Sequence, residues 1–193
     1  MNRAVFLDRD GVINEDRDDY VKSWSEVRFI KGARQALKRI HQAGIPIFVI
    51  TNQAAVGKGI ITETTLLDIH TRMVRAIKKA GGSISRFYYC PHHPEARCRC
   101  RKPRSGLLKK AARDFNLDLA QCVFVGDALR DIQAGRRLGC QTLLVLTGQG
   151  QKTLQKILSG QTTISPNWIC NDLASASSLL ITFFDEAPTD KRT

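Results

Sequence analysis

The sequence predicts an α/β fold, a Rossmann-like parallel sheet with helices on both faces, and two observations on this 193-residue chain point there. Short β-branched and aromatic runs alternate with segments whose apolar residues recur at helical spacing, and that alternation builds a parallel sheet through crossover connections. Polar residues follow several of the apolar runs: Asp8 and Asp10, then Thr51 and Asn52, then Gly126 and Asp127. Ligands of such sheets bind outside the carboxyl ends of the strands, so these residues predict where the site lies.

In chain order, Val5–Leu7 is a first strand that ends at Asp8. Ala33, Ala36, Leu37 and Ile40 place a helix over 32–43, which Gly44 stops. The apolar run 45–50 reads as a buried strand, with Pro46 tolerated near its start. Leu66, Ile69, Met73, Val74 and Ile77 mark a helix over 62–80, ended by Gly81-Gly82. A strand over 84–89, a helix over 105–115 and a strand over 122–125 follow, the last stopped by Gly126-Asp127. The pattern finishes with a helix over 129–138, a strand over 142–146, a short helix near 152–158, a strand near Trp168–Cys170 and a helix from 172. We expect one domain over 1–184 and a flexible polar tail over 185–193. The intervals from Asp8 to Thr51 and from Thr51 to Lys102 each already hold a helix and a strand, which leaves no room for a large cap domain. The irregular stretch 11–31 and the cysteine loop are expected to close the pocket.

Composition bounds the function. No apolar run approaches the length of a membrane span, and the N-terminal apolar stretch is too short for a signal peptide, so a cytoplasmic protein without a membrane partner is expected. Thirty Lys and Arg against 18 Asp and Glu give a formal charge of +12. That charge suits nucleic acid, a membrane surface or a phosphorylated small molecule. It is unevenly spread: eight basic residues and no acid lie between Arg97 and Arg113, whereas Asp8, Asp10, Glu15, Asp16, Asp18 and Asp19 cluster near the start. A site needing both carboxylates for a cation and basic groups for an anion could draw on these two segments.

Four short motifs carry chemistry. In Asp8-Arg9-Asp10-Gly11, one carboxylate can attack phosphorus or bind Mg²⁺ while the other transfers a proton; alone, the pair could equally be a solvated loop. Thr51 and Asn52 can hydrogen-bond phosphate oxygens, or merely form a turn into Gly57-Lys58-Gly59. Lys102, in Arg101-Lys102-Pro103, can neutralise a phosphoryl group, or sit on a basic surface. Asp127 would complete a Mg²⁺ site with Asp8, and Asp131 would support it; either could instead serve the next helix.

Six cysteines, Cys90, Cys98, Cys100, Cys122, Cys140 and Cys170, need a second explanation. Disulfides are not expected in a reducing compartment. Cys90, Cys98 and Cys100 crowd around His92 and offer Zn²⁺ three thiolates and an imidazole, a closed structural set. His93 competes with His92, which is preferred because it pairs with Cys90 as Cys98 pairs with Cys100. The other three cysteines sit beside strands and read as small core residues.

Asp-x-Asp-Gly, a strand-end Thr, a Lys and Gly-Asp-x-x-x-Asp, in that order, resemble the haloacid-dehalogenase-like phosphatases over most of the chain. Phe6-Leu7-Asp8-Arg9-Asp10-Gly11, Thr51-Asn52-Gln53 and the Cys-Pro-His…Cys-x-Cys-Arg-Lys-Pro loop closely resemble the D-glycero-D-manno-heptose-1,7-bisphosphate 7-phosphatases, as do Asp19-Tyr20-Val21 and Phe29-Ile30-Lys31-Gly32. Histidinol-phosphate phosphatases share much of the pattern, and Ala128 stands where several heptose enzymes have Lys. The resemblance implies Asp8 as nucleophile, Asp10 as acid and base, and Thr51 and Lys102 on the phosphoryl group. It implies Mg²⁺ on Asp8, Asp127 and the Asp10 carbonyl, a structural Zn²⁺, and substrate contacts from Asp16, Asp18, Asp19, Tyr20, Asn52, Gln53 and Arg101. The expected partner is a small phosphorylated sugar, with no nucleic acid, bound by a monomer. A zinc-stabilised nucleic-acid-binding module is the reading from another class; it leaves the order of the aspartates unexplained, and few aromatics lie near the basic run.

Overall fold

A computed structural model describes residues 2–186. Six strands form one parallel sheet: β1 (Val5–Leu7), β2 (Ile47–Asn52), β3 (Arg86–Cys90), β4 (Val123–Gly126), β5 (Gln141–Val145) and β6 (Trp168–Cys170), in the order β3-β2-β1-β4-β5-β6. The helices are α1 (Ala33–Gln42), α2 (Ala54–Gly57), α3 (Glu63–Lys79), α4 (Gly106–Phe115), α5 (Leu129–Arg136), α6 (Gly150–Leu158) and α7 (Leu173–Glu186).

Side chains alternate along each strand and so divide the core between two faces. Val5, Leu7, Ile47, Val49, Val123 and Val125 point to one face and pack under apolar residues of α1, α3 and α7. Phe6, Phe48, Ile50 and Phe124 point to the other and meet Leu107, Leu108 and Ala111 of α4 and Ala134 of α5. The sheet is thus covered on both sides, which is why its central strands carry almost no polar residues.

The strand order reverses at β1, which has β2 on one side and β4 on the other. Leu7 pairs with Val49 and with Val125, so the residues after these positions emerge together at the carboxyl edge. Residues 11–31 carry one 3₁₀ turn at Trp24–Glu26 and isolated bridges between Asn14 and its neighbours, and the described residues hold no second sheet.

Several boundaries differ from the expectation. β2 starts two residues late because Pro46 has no N–H to give; its carbonyl accepts from Val5 N at 2.9 Å. Thr51 and Asn52 therefore lie inside the strand, paired with Tyr89 and Cys90. The short α2 was not anticipated, being one turn with no usable periodicity. α7 continues through Asp185 and Glu186, the first two residues of the expected tail, with Leu180 and Phe184 keeping it docked; 187–193 lie outside the described residues.

Candidate active site

β1 delivers Asp8 to the switch point. Asp8 N donates to Val125 O at 3.0 Å, and Arg9 N donates to Asp8 Oδ1 at 2.7 Å. Lys102 Nζ stands 2.9 Å from Asp8 Oδ2 and 2.7 Å from Asp131 Oδ1, and donates to Ile50 O at 2.8 Å. Asn52 grips the Lys102 main chain at both ends: its Oδ1 accepts from Lys102 N at 3.0 Å and its Nδ2 donates to Lys102 O at 3.2 Å.

The chain turns at Gly11, with φ of 80°, against the buried Asp127. A Cβ at position 11 would lie 2.0 Å from Asp127 Oδ2, so only glycine lets these two loops meet. Asp127 Oδ2 accepts from Gln149 N at 2.8 Å, while its Oδ1 is buried without a partner. Asp8, Asp127 and Asp131 each present an oxygen within 4.8 Å of the others. Asp131 is the more committed, pairing with Lys102 and accepting from Ala128 N at 3.0 Å to cap α5.

Three buried carboxylates against one buried ammonium leave an excess of negative charge. Burial, then Asp131 and Asp8, push Asp127 up to about 8. Burial pushes Asp8 up to about 6 against the pull of Lys102. For Lys102, burial works against the ammonium, but Asp131 and Asp8 outweigh it and raise its pKa. An oxygen-seeking divalent cation would relieve this excess and give Asp127 Oδ1 a partner, so the residues fit Mg²⁺.

The Asp10 carboxylate stands outside this group. Its Oδ1 accepts from Arg9 Nε at 3.1 Å, Arg9 Nη2 at 2.9 Å and Asn14 Nδ2 at 2.8 Å, and its Oδ2 from Gln53 Nε2 at 2.9 Å. Burial would raise this carboxyl, but Arg9, Asn14 and Gln53 prevail and hold it below the usual range. Gln53 Nε2 also donates to Thr51 Oγ1 at 2.8 Å, linking Thr51 to Asp10.

These groups surround a cavity of about 160 Å³, lined by Asp8, Asp10, Thr51, Asn52 and Gln53 and, further out, by Asp16, Tyr20 and Arg101. Asn52 and Gln53, expected on substrate, also brace Lys102, Thr51 and Asp10. Arg101 Nη1 is buried and unpartnered among the described residues. Asp16 Oδ2 accepts from Gln149 Nε2 at 3.1 Å, which ties the 16–20 loop to α6. Tyr20, at φ of 66°, lies under Lys58 Nζ, 5.2 Å from its ring centre. Asp18 and Asp19 do not line this cavity: Asp18 borders a neighbouring one, and Asp19 pairs with Arg17 and Lys22 within the loop.

Arg130 was missed in the sequence. It lines the same cavity and opens onto an adjoining basin of about 700 Å³ that also holds Lys152 and Lys156. A base between Asp127 and Asp131 was the available signal. Gln149 was missed as well, since nothing local marks a glutamine whose main-chain N–H is the functional group.

Cys90, His92, Cys98 and Cys100 converge at the base of the same loop. Sγ–Sγ distances are 3.2 Å for Cys90–Cys100, 3.4 Å for Cys98–Cys100 and 3.5 Å for Cys90–Cys98, and His92 Nδ1 is 3.2 Å from Cys100 Sγ. His93 turns away, its Nδ1 accepting from Glu95 N at 3.3 Å. Three sulfurs and one nitrogen clustered this closely suit tetrahedral Zn²⁺ with no position open to water. Cys122 and Cys140 are buried core residues.

Fold and site together define a haloacid-dehalogenase-like phosphatase, and residues 99–176 match the HAD-hydrolase-like family model. The chain is 40% identical over 179 residues to the D-glycero-beta-D-manno-heptose-1,7-bisphosphate 7-phosphatase of Bordetella bronchiseptica, covering 93% of this chain and 98% of the relative. Identity to the enzyme of the same name from Pseudomonas aeruginosa is 39%, over 94% of this chain and 99% of the relative. The crystal structure of the D,D-heptose 1,7-bisphosphate phosphatase from B. bronchiseptica, complexed with magnesium and phosphate, superposes with a TM-score of 0.87 at 39% identity, covering 94% of this chain and 99% of that one. The chain belongs to the family of heptose-1,7-bisphosphate 7-phosphatases.

Proposed function

We propose that this protein removes the 7-phosphate of D-glycero-beta-D-manno-heptose 1,7-bisphosphate through an aspartyl-phosphate on Asp8, acting in the cytoplasm as a monomer with no nucleic-acid or membrane partner. The observation that carries the reading is Asp8 at the cavity floor, held by Lys102 at 2.9 Å, beside Asp127 with a buried oxygen left unpartnered. The beta anomer follows the names of the relatives.

Asp8 attacks the phosphorus, forming a carboxyl–phosphate bond as the sugar oxygen departs. Lys102 and Thr51 hold the phosphoryl oxygens, so positive charge stands ready where negative charge develops. Asp10 gives the leaving oxygen its proton, then takes one from the water that hydrolyses the intermediate. The phosphate dianion beside Asp10 raises its proton affinity, which readies a carboxyl otherwise held ionised by Arg9. Asp8, Asp127 and the Asp10 carbonyl would hold Mg²⁺, whose charge offsets repulsion between carboxylate and phosphate. Arg101 and Arg130 face the remainder of the substrate, where its second phosphate needs cationic partners. Cys90, His92, Cys98 and Cys100 would hold Zn²⁺, which fixes the loop leading into Arg101 and Lys102.

The test is phosphorus NMR of product formed with Mg²⁺ present. Inorganic phosphate and heptose 1-phosphate should appear together, with histidinol phosphate turned over far more slowly. Loss of the 1-phosphate, or preference for histidinol phosphate, would contradict the assignment.

A further inference from the structure

His70 takes no part in the steps above and Arg9 enters them only through its hold on Asp10, yet both are buried beside the site. Arg9 heads the fully buried side chains by size among the described residues. Its Nε and Nη2 form a fork on Asp10 Oδ1, and its remaining corner, Nη1, lies 3.2 Å from His70 Nε2. A guanidinium can only donate, so Nε2 accepts and the imidazole proton sits on Nδ1. That Nδ1 is buried with no partner. An unpartnered buried donor is unfavourable, and an apolar residue at position 70 would avoid it; what His70 adds is the acceptor at Nε2. Burial, with Arg9 adding to it, keeps the ring neutral by pushing its pKa down to about 3. The ring itself is fixed: it stacks on Phe87 with centroids 4.3 Å apart and meets the edge of Tyr89 at 5.6 Å. Phe87 and Tyr89 belong to β3, so the orientation of Arg9 is referred to the sheet.

We propose that His70 is a positioning residue for phosphoryl transfer, acting through Arg9 to set where the Asp10 carboxyl meets the leaving oxygen. This rests on the phosphatase reading of the site, though not on the identity of the sugar.

The leaving group provides the test. A sugar alkoxide departs only with a proton from Asp10, whereas 4-nitrophenolate departs without one. Both kcat and KM are measured with Mg²⁺ for heptose bisphosphate and for 4-nitrophenyl phosphate, in wild type, His70→Phe and His70→Gln. Phenylalanine keeps the stacked ring and removes the acceptor; glutamine places an amide oxygen near the site of Nε2. The expected result is a loss of at least about tenfold in kcat/KM for the sugar phosphate in His70→Phe, carried by kcat, because general acid catalysis is worth about 10²–10⁴ in all. The kcat/KM of the aryl phosphate, which reports only the steps through leaving-group departure, should change little; its kcat does not decide, because Asp10 also activates the water in the hydrolysis step common to both esters. His70→Gln should regain most of the sugar phosphate activity. Equal losses in kcat/KM on both esters, or no loss on the sugar phosphate, would overturn the proposal. If His70→Phe fails to fold, His70→Leu against His70→Gln makes the same comparison. Wild-type protein that hydrolyses neither ester overturns the phosphatase reading and this inference with it, an outcome distinct from an equal loss in the variants.

Discussion

At the scale of single residues, the site is a problem of charge: the buried Asp8, Asp127 and Asp131 crowd around the Lys102 ammonium. Because burial raises Asp8 to about 6 and Asp127 to about 8, these groups hold protons more tightly in the folded protein than in the unfolded chain. Any stability they contribute in the metal-free protein is therefore present at low pH and lost as pH rises through those values. Mg²⁺ competes with the same protons. Its affinity should rise between pH 6 and pH 8 with proton release on binding, read by calorimetry in buffers of different ionisation enthalpy; a flat profile with no proton release would contradict this. Asp8, Asp10, Thr51, Lys102 and Asp127 were legible in the sequence because of their order along the chain and its resemblance to a phosphatase family; taken singly, each motif had a structural alternative. Arg130 and His70 were not. Arg130 reads locally as a solvated helix base, and His70 matters only through a contact 61 positions away.

At the scale of elements, two devices place Lys102: the Asn52 clamp from β2 and the cysteine loop that precedes it. The loop lies against α2 so closely that a Cβ on Gly57 would stand 2.1 Å from His93 N. Asn52→Ala leaves the Lys102 main chain without either bond. It should lower kcat by about tenfold or more, since small displacements of a catalytic group can cost about 10²-fold. Cys98→Ala should lose zinc by elemental analysis and lower turnover together with substrate affinity. A zinc-free variant with unchanged kcat and KM would break the coupling between the metal loop and the phosphate site. The cysteine set was legible because four ligands lie within eleven residues. The clamp was hidden: Asn52 sits in a strand paired with Cys90, and its partner is fixed only when β2 and the loop come together.

At the scale of the whole molecule, alternating strands and helices gave away the architecture, while strand ends shifted by one or two residues where proline and pairing register decided them. The +12 charge first suggested nucleic acid as readily as a sugar phosphate. Of that charge, Arg101 and Arg130 line the cavity, Lys102 pairs with Asp8 beside it, and Lys152 and Lys156 line the adjoining basin. Such a field should speed capture of a bisphosphate. Raising ionic strength from about 0.01 M to 0.15 M shortens the screening length from about 30 Å to about 8 Å, so kcat/KM should fall several-fold with kcat nearly constant; an unchanged kcat/KM would place the excess charge outside the binding event. The central claim is that Asp8 itself carries the phosphoryl group. Acid quenching during turnover, followed by mass spectrometry of the peptide containing Asp8, should show that aspartate phosphorylated in the wild-type protein and neither adduct nor turnover in folded Asp8→Asn. Turnover retained in Asp8→Asn, or an adduct on another residue, would contradict it.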